Sequence, residues 1–197
     1  MFRKLYTGSL IVLSGLIFSS PIDEIPFKDS DNLHNFYVEI PSGTKEKWEV
    51  NKKTGLLEQD QKNGKNRIIK FLPYPGNYGF IPQTLSGDGD PIDLIDLDEF
   101  HPRGEFKKIQ VIGAMYFEDK KDVDYKFIGV SPTGTFKNIE SIDDLLYERP
   151  TVLEILKLWF LSYKKPGKMV FFRFLNKDDA VSVLQRSHEK WKKKQRK

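Results

Sequence analysis

Four aspartates lie within nine residues near the middle of the chain, in the segment SGDGDPIDLIDL (86–97). They are Asp88, Asp90, Asp93 and Asp96. Carboxylates that are close in space repel one another and raise each other's pKa, so such a cluster is stable where cations or hydrogen-bond donors offset the charge. The spacing therefore predicts a cation site.

Two other interpretations of this acidic run are a solvated turn and a calcium loop. Asp and Gly are common in turns, so a solvated acidic turn is the general alternative. In a calcium loop of the EF-hand type, Asp88, Asp90 and Glu99 would take the first, third and twelfth positions. That loop does not fit, because Ile92 would occupy a ligand position and Asp93 the place where the tight turn needs glycine.

The elements that must position these acids are mostly short strands. Pro91 cannot donate a ladder hydrogen bond, so DGDP is predicted to be a loop that enters a strand at Ile92. Asn63-Gly64 predicts a tight turn. The predicted strands are FYVEI (36–40), KWEV (47–50), RIIKF (67–71), PIDLIDL (91–97), KKIQVIGAMYF (107–117) and YKFIGV (125–130).

Helical periodicity appears only in the last third of the chain, where TVLEILKLWFLSY (151–163) has apolar residues at helical spacing. Ser141 with Asp144 predicts the start of a short helix, and Asn176 with Asp179 predicts the start of a last helix that runs to the tail. Strands followed by helices predict an α+β fold with a closed or partly closed sheet flanked by helices.

Composition limits the chemistry that the chain can perform. The 197 residues, 39% of them hydrophobic, are enough for one domain with a substantial core. Because the chain has no cysteine, disulfides, zinc-thiolate sites and cysteine nucleophiles are excluded. His34, His101 and His188 lack the spacing of metal ligands, and we expect them to be surface or packing residues.

The N-terminal segment has the layout of an export signal. Arg3 and Lys4 precede an almost uncharged apolar run that ends near Phe18 and is followed by Ser-Ser-Pro. Residues 1–20 are therefore predicted to be a signal peptide that exports the protein, with residues 21–187 as the folded domain. An uncleaved anchor and an amphipathic extension remain alternatives, although the run is short for a membrane span of about 20 residues.

The charge is unevenly distributed. The formal net charge of +4 falls to +2 without Arg3 and Lys4, and residues 188–197 alone hold six basic residues and one acidic residue. A basic end on a mildly acidic domain is typical of a solvated helix end or tail. Nucleic acid is accordingly not expected to be a partner.

The segment DGDPIDLIDL resembles the signature of the soluble family I inorganic pyrophosphatases, whose D-x-D-P-x-D core matches Asp88, Asp90, Pro91 and Asp93. Other motifs of this family follow in the same order along the chain. They are FYVEIPSG with Glu39, KWE with Lys47 and Glu49, LPYPGNYGFIPQT with Tyr74 and Tyr78, FEDKKDVDYK with Asp119, Asp124 and Lys126, and SYKKP with Tyr163 and Lys164.

This resemblance implies a five-stranded OB-like barrel, Mg²⁺-dependent hydrolysis of pyrophosphate, and a homohexamer as in bacterial members. Asp90 would accept the proton from, or hydrogen-bond, the metal-bridging hydroxide that attacks. The implied metal ligands are Asp88, Asp93 and Asp124 for the tightest ion, with Asp119, Glu39 and Glu49 for the others. The implied phosphate ligands are Lys47, Arg67, Lys126, Tyr163, Lys164 and Tyr78, of which Arg67, Lys126 and Tyr78 would also act in catalysis.

Some assignments stay open. Lys65 or Lys70 could share the role of Arg67, and Lys120 stands where some members carry a second acid after Asp119. Tyr74 is either a site residue or a core aromatic. The alternative functions are a phosphohydrolase acting on a nucleotide or polyphosphate, and a non-catalytic module that binds metal or phosphate.

Overall fold

The computed structural model describes residues 24–165 and 167–196, which form ten strands and three helices. The strands are β1 (His34–Ile40), β2 (Trp48–Val50), β3 (Leu57–Gln59), β4 (Gln61–Lys62), β5 (Lys65–Asn66), β6 (Asn77–Ile81), β7 (Ile92–Asp96), β8 (Phe106–Asp119), β9 (Asp122–Val130) and β10 (Met169–Leu175). The helices are α1 (Ile142–Glu148), α2 (Pro150–Ser162) and α3 (Lys177–Gln195).

Five of these strands close into a ring. They pair in the order β1, β6, β7, β9 and β8, and β8 pairs back with β1. The β7–β9 pair is parallel, the other pairs of the ring are antiparallel, and β10 adds a sixth strand to β8. The predicted α+β fold around a small five-stranded barrel is confirmed.

The core lies on both sides of the β8–β9 hairpin. One apolar cluster contains Phe36, Leu94, Ile109 and Phe127, and α3 covers it with Leu184 and neighbouring side chains. Another apolar cluster, against which α1 and α2 pack, contains Ile95, Met115, Phe117, Ile128, Leu145, Leu153, Trp159 and Phe160. Burial of a large apolar side chain contributes about 1.5–3 kcal/mol, so these two clusters hold the helices on the barrel.

Both predicted helix starts are confirmed by their hydrogen bonds. The Ser141 hydroxyl accepts a hydrogen bond from the backbone N–H of Asp144 at 3.1 Å. The Asn176 side chain accepts one from the backbone N–H of Asp179 at 2.8 Å. These side chains satisfy amide groups that have no partner within the first turn of a helix.

The strand predicted at RIIKF (67–71) is wrong. The segment makes only an isolated bridge between Ile68 and Glu46. Ile69 is buried and Ile68 is exposed, which satisfies the alternating pattern without a ladder. The tight turn at Asn63-Gly64 is confirmed, since both residues have positive φ and join β4 to β5. β3, β4, β5, β6 and β10 are additional strands that were not predicted from the sequence patterns.

The structure describes the C-terminal helix of the chain but not its N-terminal segment. Residues 1–20 lie outside the described residues, so the signal peptide stays a prediction. α3 extends into the basic end as far as Gln195, and His188 on that end is buried at 7% exposure. One side of the basic end therefore packs on the domain instead of facing solvent. Within the described ranges, no helix has the length and apolar character needed to cross a membrane.

Candidate active site

Asp93, Asp124 and Lys126 meet where β7 pairs with β9. Lys126 Nζ lies 2.6 Å from Asp124 Oδ1 and also donates to Asp93 Oδ2. The Lys126 side chain is only 6% exposed. Burial alone would lower the pKa of Lys126, but the carboxylates of Asp93 and Asp124 raise it above its usual value. The Lys126 ammonium group is therefore held charged between two acids.

The loop before β7 presents the first two acids of the motif. The Ser86 N–H donates to the Asp90 carbonyl at 2.7 Å, and the Asp90 N–H donates to Asp88 Oδ1 at 3.0 Å. Gly89 adopts a φ of 88°, which favours glycine. The loop predicted from Pro91 is therefore present, and β7 begins after it at Ile92. The Asp90 carboxylate forms an ion pair with Lys52 Nζ.

Glu39 in β1 and Lys47, which directly precedes β2, add charged side chains to the site. Glu39 lies in β1 at 7% exposure, and its Oε1 accepts a hydrogen bond from the Val50 N–H at 2.8 Å. Burial, with the negative charge of Asp93, raises the pKa of Glu39. Lys47 forms an ion pair with Glu49. Burial, with the positive charge of Arg67, lowers the pKa of Lys47.

Arg67 is anchored beside Lys47. Its Nη1 donates to Asp60 Oδ2 at 2.6 Å, and the Lys47 N–H donates to the Arg67 carbonyl at 3.0 Å. Lys65 and Lys70 have exposed side chains at the surface. Among the three basic residues that the motif left open, Arg67 is therefore the one that lies next to Lys47 and is partly buried.

Asp119 and Lys164 meet at the far end of the β8–β9 hairpin. Lys164 Nζ donates to Asp119 Oδ2 at 2.8 Å and lies 5.3 Å from the centre of the Tyr163 ring. Asp119 Oδ1 is buried, and no described residue donates a hydrogen bond to it. Lys120 has a φ of 54° in the tight turn after β8, so the second acid of some family members is replaced by a turn lysine.

Two tyrosines form the apolar side of the site. The Tyr78 ring centre lies 5.9 Å from Lys126 Nζ, and the Tyr74 ring lies between Tyr78 at 5.3 Å and Trp159 at 4.5 Å. Both tyrosines are buried, and burial raises their pKa, so their hydroxyl groups stay protonated and can donate hydrogen bonds. Tyr163 continues the stack, 4.7 Å from the Trp159 ring.

A cavity of about 330 Å³ opens beside the acids of the site. Asp90 and Asp93 contribute to its lining together with Glu39 and Glu49. The other lining residues include Lys52 and, from the last turns of α3, Trp191, Lys194 and Gln195. Neither Lys52 nor the α3 residues were predicted from the sequence to be neighbours of the site. Lys52 follows the KWEV strand closely and could have been considered, whereas the α3 residues depend on how that helix packs.

The fourth acid of the motif does not belong to the site. Asp96 is completely buried, accepts hydrogen bonds from Lys107 Nζ at 2.8 Å and Asn77 Nδ2 at 2.9 Å, and has its pKa raised by burial. Asn77 also donates to the carbonyl of Glu99 at 2.8 Å. Asp96 therefore stabilises the fold, and the initial expectation of one cation site for all four aspartates is too broad.

The donor groups are compatible with a hard metal ion, although the acids do not converge as a ready-made cluster. Within residues 24–165 and 167–196, no group of three or more Asp, Glu or His side chains is arranged to hold a metal ion. Lysines pair with these acids instead: Lys126 with Asp93 and Asp124, and Lys164 with Asp119. The chemistry still fits, because Asp119 Oδ1 is a buried carboxylate oxygen without a donor and Mg²⁺ prefers carboxylate oxygens.

Comparison with known proteins identifies relatives of this chain. A family model described as inorganic pyrophosphatase matches residues 36–192. The soluble inorganic pyrophosphatase 6 of Arabidopsis thaliana, a chloroplastic protein, is 30% identical over 88% of this chain and 65% of its own length. The inorganic pyrophosphatase of Nanoarchaeum equitans is 34% identical over 80% of this chain and 96% of its own length.

Solved structures agree with the sequence comparison. The N-terminally truncated vacuolar soluble pyrophosphatase of Trypanosoma cruzi, in complex with PPi, has a TM-score of 0.80 at 25% identity. The match covers 100% of this chain and 76% of that one. The resemblance read from the motifs is thus confirmed, and the chain belongs to the inorganic pyrophosphatase family.

Proposed function

We propose that this chain hydrolyses inorganic pyrophosphate to two phosphates, using Asp90 and the surrounding acids and bases. The observation that carries the proposal is the meeting of Asp93, Asp124 and Lys126 beside the cavity that Asp90 lines. Pyrophosphate hydrolysis needs carboxylates to hold metal ions and ammonium or guanidinium groups to hold phosphate oxygens. The site brings both kinds of group together.

Family membership supports the same reaction. The chain spans 65% of the chloroplastic relative's length, so the activity of that longer protein is carried over as part of this proposal. The archaeal relative, named an inorganic pyrophosphatase, is matched over 96% of its length. The Trypanosoma cruzi relative is described in complex with PPi.

The proposed metal is Mg²⁺, and several ions would be held by the acids. Asp88, Asp93 and Asp124 would hold the tightest ion, while Asp119, Glu39 and Glu49 would hold the others. Bound Mg²⁺ would neutralise phosphate oxygens and lower the pKa of a coordinated water. The uncoordinated Asp119 Oδ1 supports a ligand role for that residue, because a buried carboxylate oxygen without a partner is unfavourable.

Asp90 is the proposed general base. Its position in the cavity lining lets it accept a hydrogen bond from a water that faces the substrate phosphorus. As the water oxygen bonds to phosphorus, Asp90 takes its proton and the bond from phosphorus to the bridging oxygen breaks. The bridging oxygen leaves with the second phosphate.

The proposed phosphate ligands are basic residues and tyrosines. Lys126 lies between Asp93 and Asp124, which can also bind a metal ion. When a metal ion occupies these carboxylates, the Lys126 ammonium group can bind a phosphate oxygen instead. Ammonium and guanidinium groups give charge-assisted hydrogen bonds to phosphate, and tyrosine hydroxyls add neutral donors. The complete set is Lys47, Arg67, Tyr78, Lys126, Tyr163 and Lys164.

Phosphate release tests the proposed substrate. Purified protein with Mg²⁺ is incubated separately with pyrophosphate, inorganic triphosphate and ATP, and phosphate is measured over time. We expect rapid release from pyrophosphate and at least about tenfold slower release from the other two. Faster hydrolysis of triphosphate or ATP would support the alternative phosphohydrolase, and no release from any of the three would support a binding module.

We also propose that the chain assembles with itself, as a homohexamer by resemblance to bacterial family members. Apolar side chains remain exposed on α1 and α2, including Tyr147 at 90% and Leu158 at 57%, and on β10 with Phe172 at 52%. Such exposure in a small domain often marks an interface. Light scattering after size-exclusion chromatography should give about six times the chain mass, and a monomer would contradict the assembly.

We propose that the protein is exported from the cytoplasm. The relatives include a chloroplastic and a mitochondrial protein, so family members are found in more than one compartment. If residues 1–20 direct export, the mature chain begins near Pro21 and would act on external pyrophosphate. N-terminal sequencing of protein from fractionated cells decides this, and an intact Met1 in the cytoplasmic fraction would refute export.

A further inference from the structure

The last turns of α3 contribute to the lining of the cavity that Asp90 and Asp93 also line. Trp191, Lys194 and Gln195 line it opposite a loop and strands that contribute Asp90 and Asp93. The helix end was expected to be solvated because of its basic composition. Its position instead brings Lys194 to the cavity that the carboxylates of Asp90 and Asp93 line.

The helix end is fixed at this position by specific contacts. The Leu85 N–H donates to Ser187 Oγ at 2.7 Å, and His188 Nδ1 lies 2.7 Å from the carbonyl oxygen of Gln83. The His188 ring stacks on Phe27 at 4.1 Å, and Trp191 lies parallel to His188 at 6.1 Å. Since Gln83 and Leu85 also line the cavity, these contacts join the helix directly to the cavity wall.

The charges of the cavity explain why a lysine at this position matters. Four carboxylates line it, from Glu39, Glu49, Asp90 and Asp93, and its cationic lining residues are Lys52 and Lys194. Lys52 already forms an ion pair with Asp90, whereas no salt bridge is found for Lys194 within the described part of the chain. An anionic substrate that enters this cavity therefore meets the Lys194 ammonium group as a cation not engaged by a carboxylate.

We propose that Lys194 is an additional substrate-binding residue, which attracts and holds a phosphate group of pyrophosphate at the open side of the cavity. The family model ends at residue 192, so Lys194 lies beyond the region that the family shares in its model. This inference rests on the proposed function for its substrate, and it adds a phosphate contact from the C-terminal helix.

A pair of neighbouring lysines provides the test. Lys194→Gln is compared with Lys193→Gln, which removes the same charge one residue away. Lys193 lines a different surface groove, with Arg186 and Lys190. We expect Lys194→Gln to raise the KM for pyrophosphate about three- to fivefold with kcat unchanged, the size of an exposed ion pair. Lys193→Gln should behave as the wild type, and Lys194→Arg should restore the wild-type KM.

Binding without turnover separates this inference from the proposed function. The dissociation constant of inorganic phosphate is measured by calorimetry with Mg²⁺ for the wild type and both glutamine variants. Weaker binding in Lys194→Gln alone supports the inference, even if the wild type does not hydrolyse pyrophosphate and the proposed function fails. Equal values for Lys194→Gln and Lys193→Gln, in binding and in KM, would overturn the role of Lys194.

Discussion

Lys126 Nζ lies 2.6 Å from Asp124 Oδ1, inside the acid cluster that is proposed to hold metal ions. The Lys126 ammonium group and a divalent cation therefore compete for the same carboxylates. Because Lys126 is almost completely buried, water screens this competition only weakly.

We expect Lys126→Gln to bind Mn²⁺ more tightly than the wild type, by about tenfold, because the substitution removes a positive charge next to the ligands. The same variant should have a higher KM for pyrophosphate, since a phosphate ligand is lost. Calorimetric titration with Mn²⁺ measures the first effect. Lys157→Gln, which loses a pair with Glu154 and a contact with the Phe171 ring but no contact with the metal-binding acids, is the matched control. Unchanged or weaker Mn²⁺ binding in Lys126→Gln would contradict the competition.

Asp93→Asn and Asp96→Asn should have opposite consequences although the two aspartates are three residues apart in the same strand. Asp93→Asn is expected to weaken Mn²⁺ binding at least about tenfold, because it replaces a shared carboxylate ligand. Asp96→Asn is expected to lower the free energy of unfolding by about 3 kcal/mol, because it leaves Lys107 without its buried partner. Calorimetry and urea unfolding on both variants measure the two effects. If the two variants lose Mn²⁺ affinity equally, Asp96 is a ligand as well.

The acidic motif shows which features of the site can be predicted from the sequence and which cannot. Pro91 and the glycines indicated a loop before Ile92, and the structure has that loop. The spacing of the aspartates could not show that Asp96 is a structural residue and Asp93 a site residue, because the partners of Asp96 are distant in sequence. Asn77 and Lys107 come from β6 and β8, and they become neighbours of Asp96 only when the barrel closes.

His34 makes stability depend on pH. Its ring is buried against Phe27, and Lys28, Asp29 and His188 are the charged or titratable groups around it. Burial lowers the pKa of His34 to about 3 from 6.5. Below pH 6.5 the unfolded chain therefore binds a proton that the folded chain excludes, so stability falls as pH decreases from 6.5 towards 3.

The size of this effect is at most about 1.4 kcal/mol per pH unit. We expect His34→Gln to show a smaller loss of unfolding free energy than the wild type between pH 6 and pH 4, measured by urea unfolding. His101→Gln is the control, since His101 is partly exposed beside Glu105. An identical pH slope in the wild type and in His34→Gln would show that His34 is not responsible.

Closure of the barrel requires glycine at position 79. Gly79 of β6 faces Val38 of β1, and a Cβ atom there would clash with the carbonyl oxygen of Tyr37. We expect Gly79→Ala to lower the free energy of unfolding by about 3 kcal/mol, because backbone cannot move aside without opening the β1–β6 pair. Gly87→Ala, where an added Cβ meets no atom within 4 Å, should be nearly neutral. Similar unfolding curves for both variants would contradict this account of the barrel.

At β6 and at RIIKF, the local sequence preference and the observed conformation disagree, because tertiary contacts decide the conformation. β6 contains Asn77 and Gly79, which are poor strand formers, and tertiary contacts with β1 and β7 decide its conformation. RIIKF has strand propensity but makes only a single bridge. The helix caps at Ser141 and Asn176 were predictable because capping is local. The place of Trp191 and Lys194 in the cavity was not, because it depends on how α3 packs against residues 83–85.

The central claim is that Asp90 takes the proton of the attacking water, and the turnover of Asp90→Asn measures it most directly. The substitution keeps the shape of the side chain and removes its basic oxygen. With saturating Mg²⁺ and pyrophosphate, kcat should fall about 10²- to 10⁴-fold, while thermal unfolding stays as in the wild type. Asp178→Asn, on the exposed first turn of α3, should keep full kcat. A kcat within about twofold of the wild type in Asp90→Asn would contradict the account.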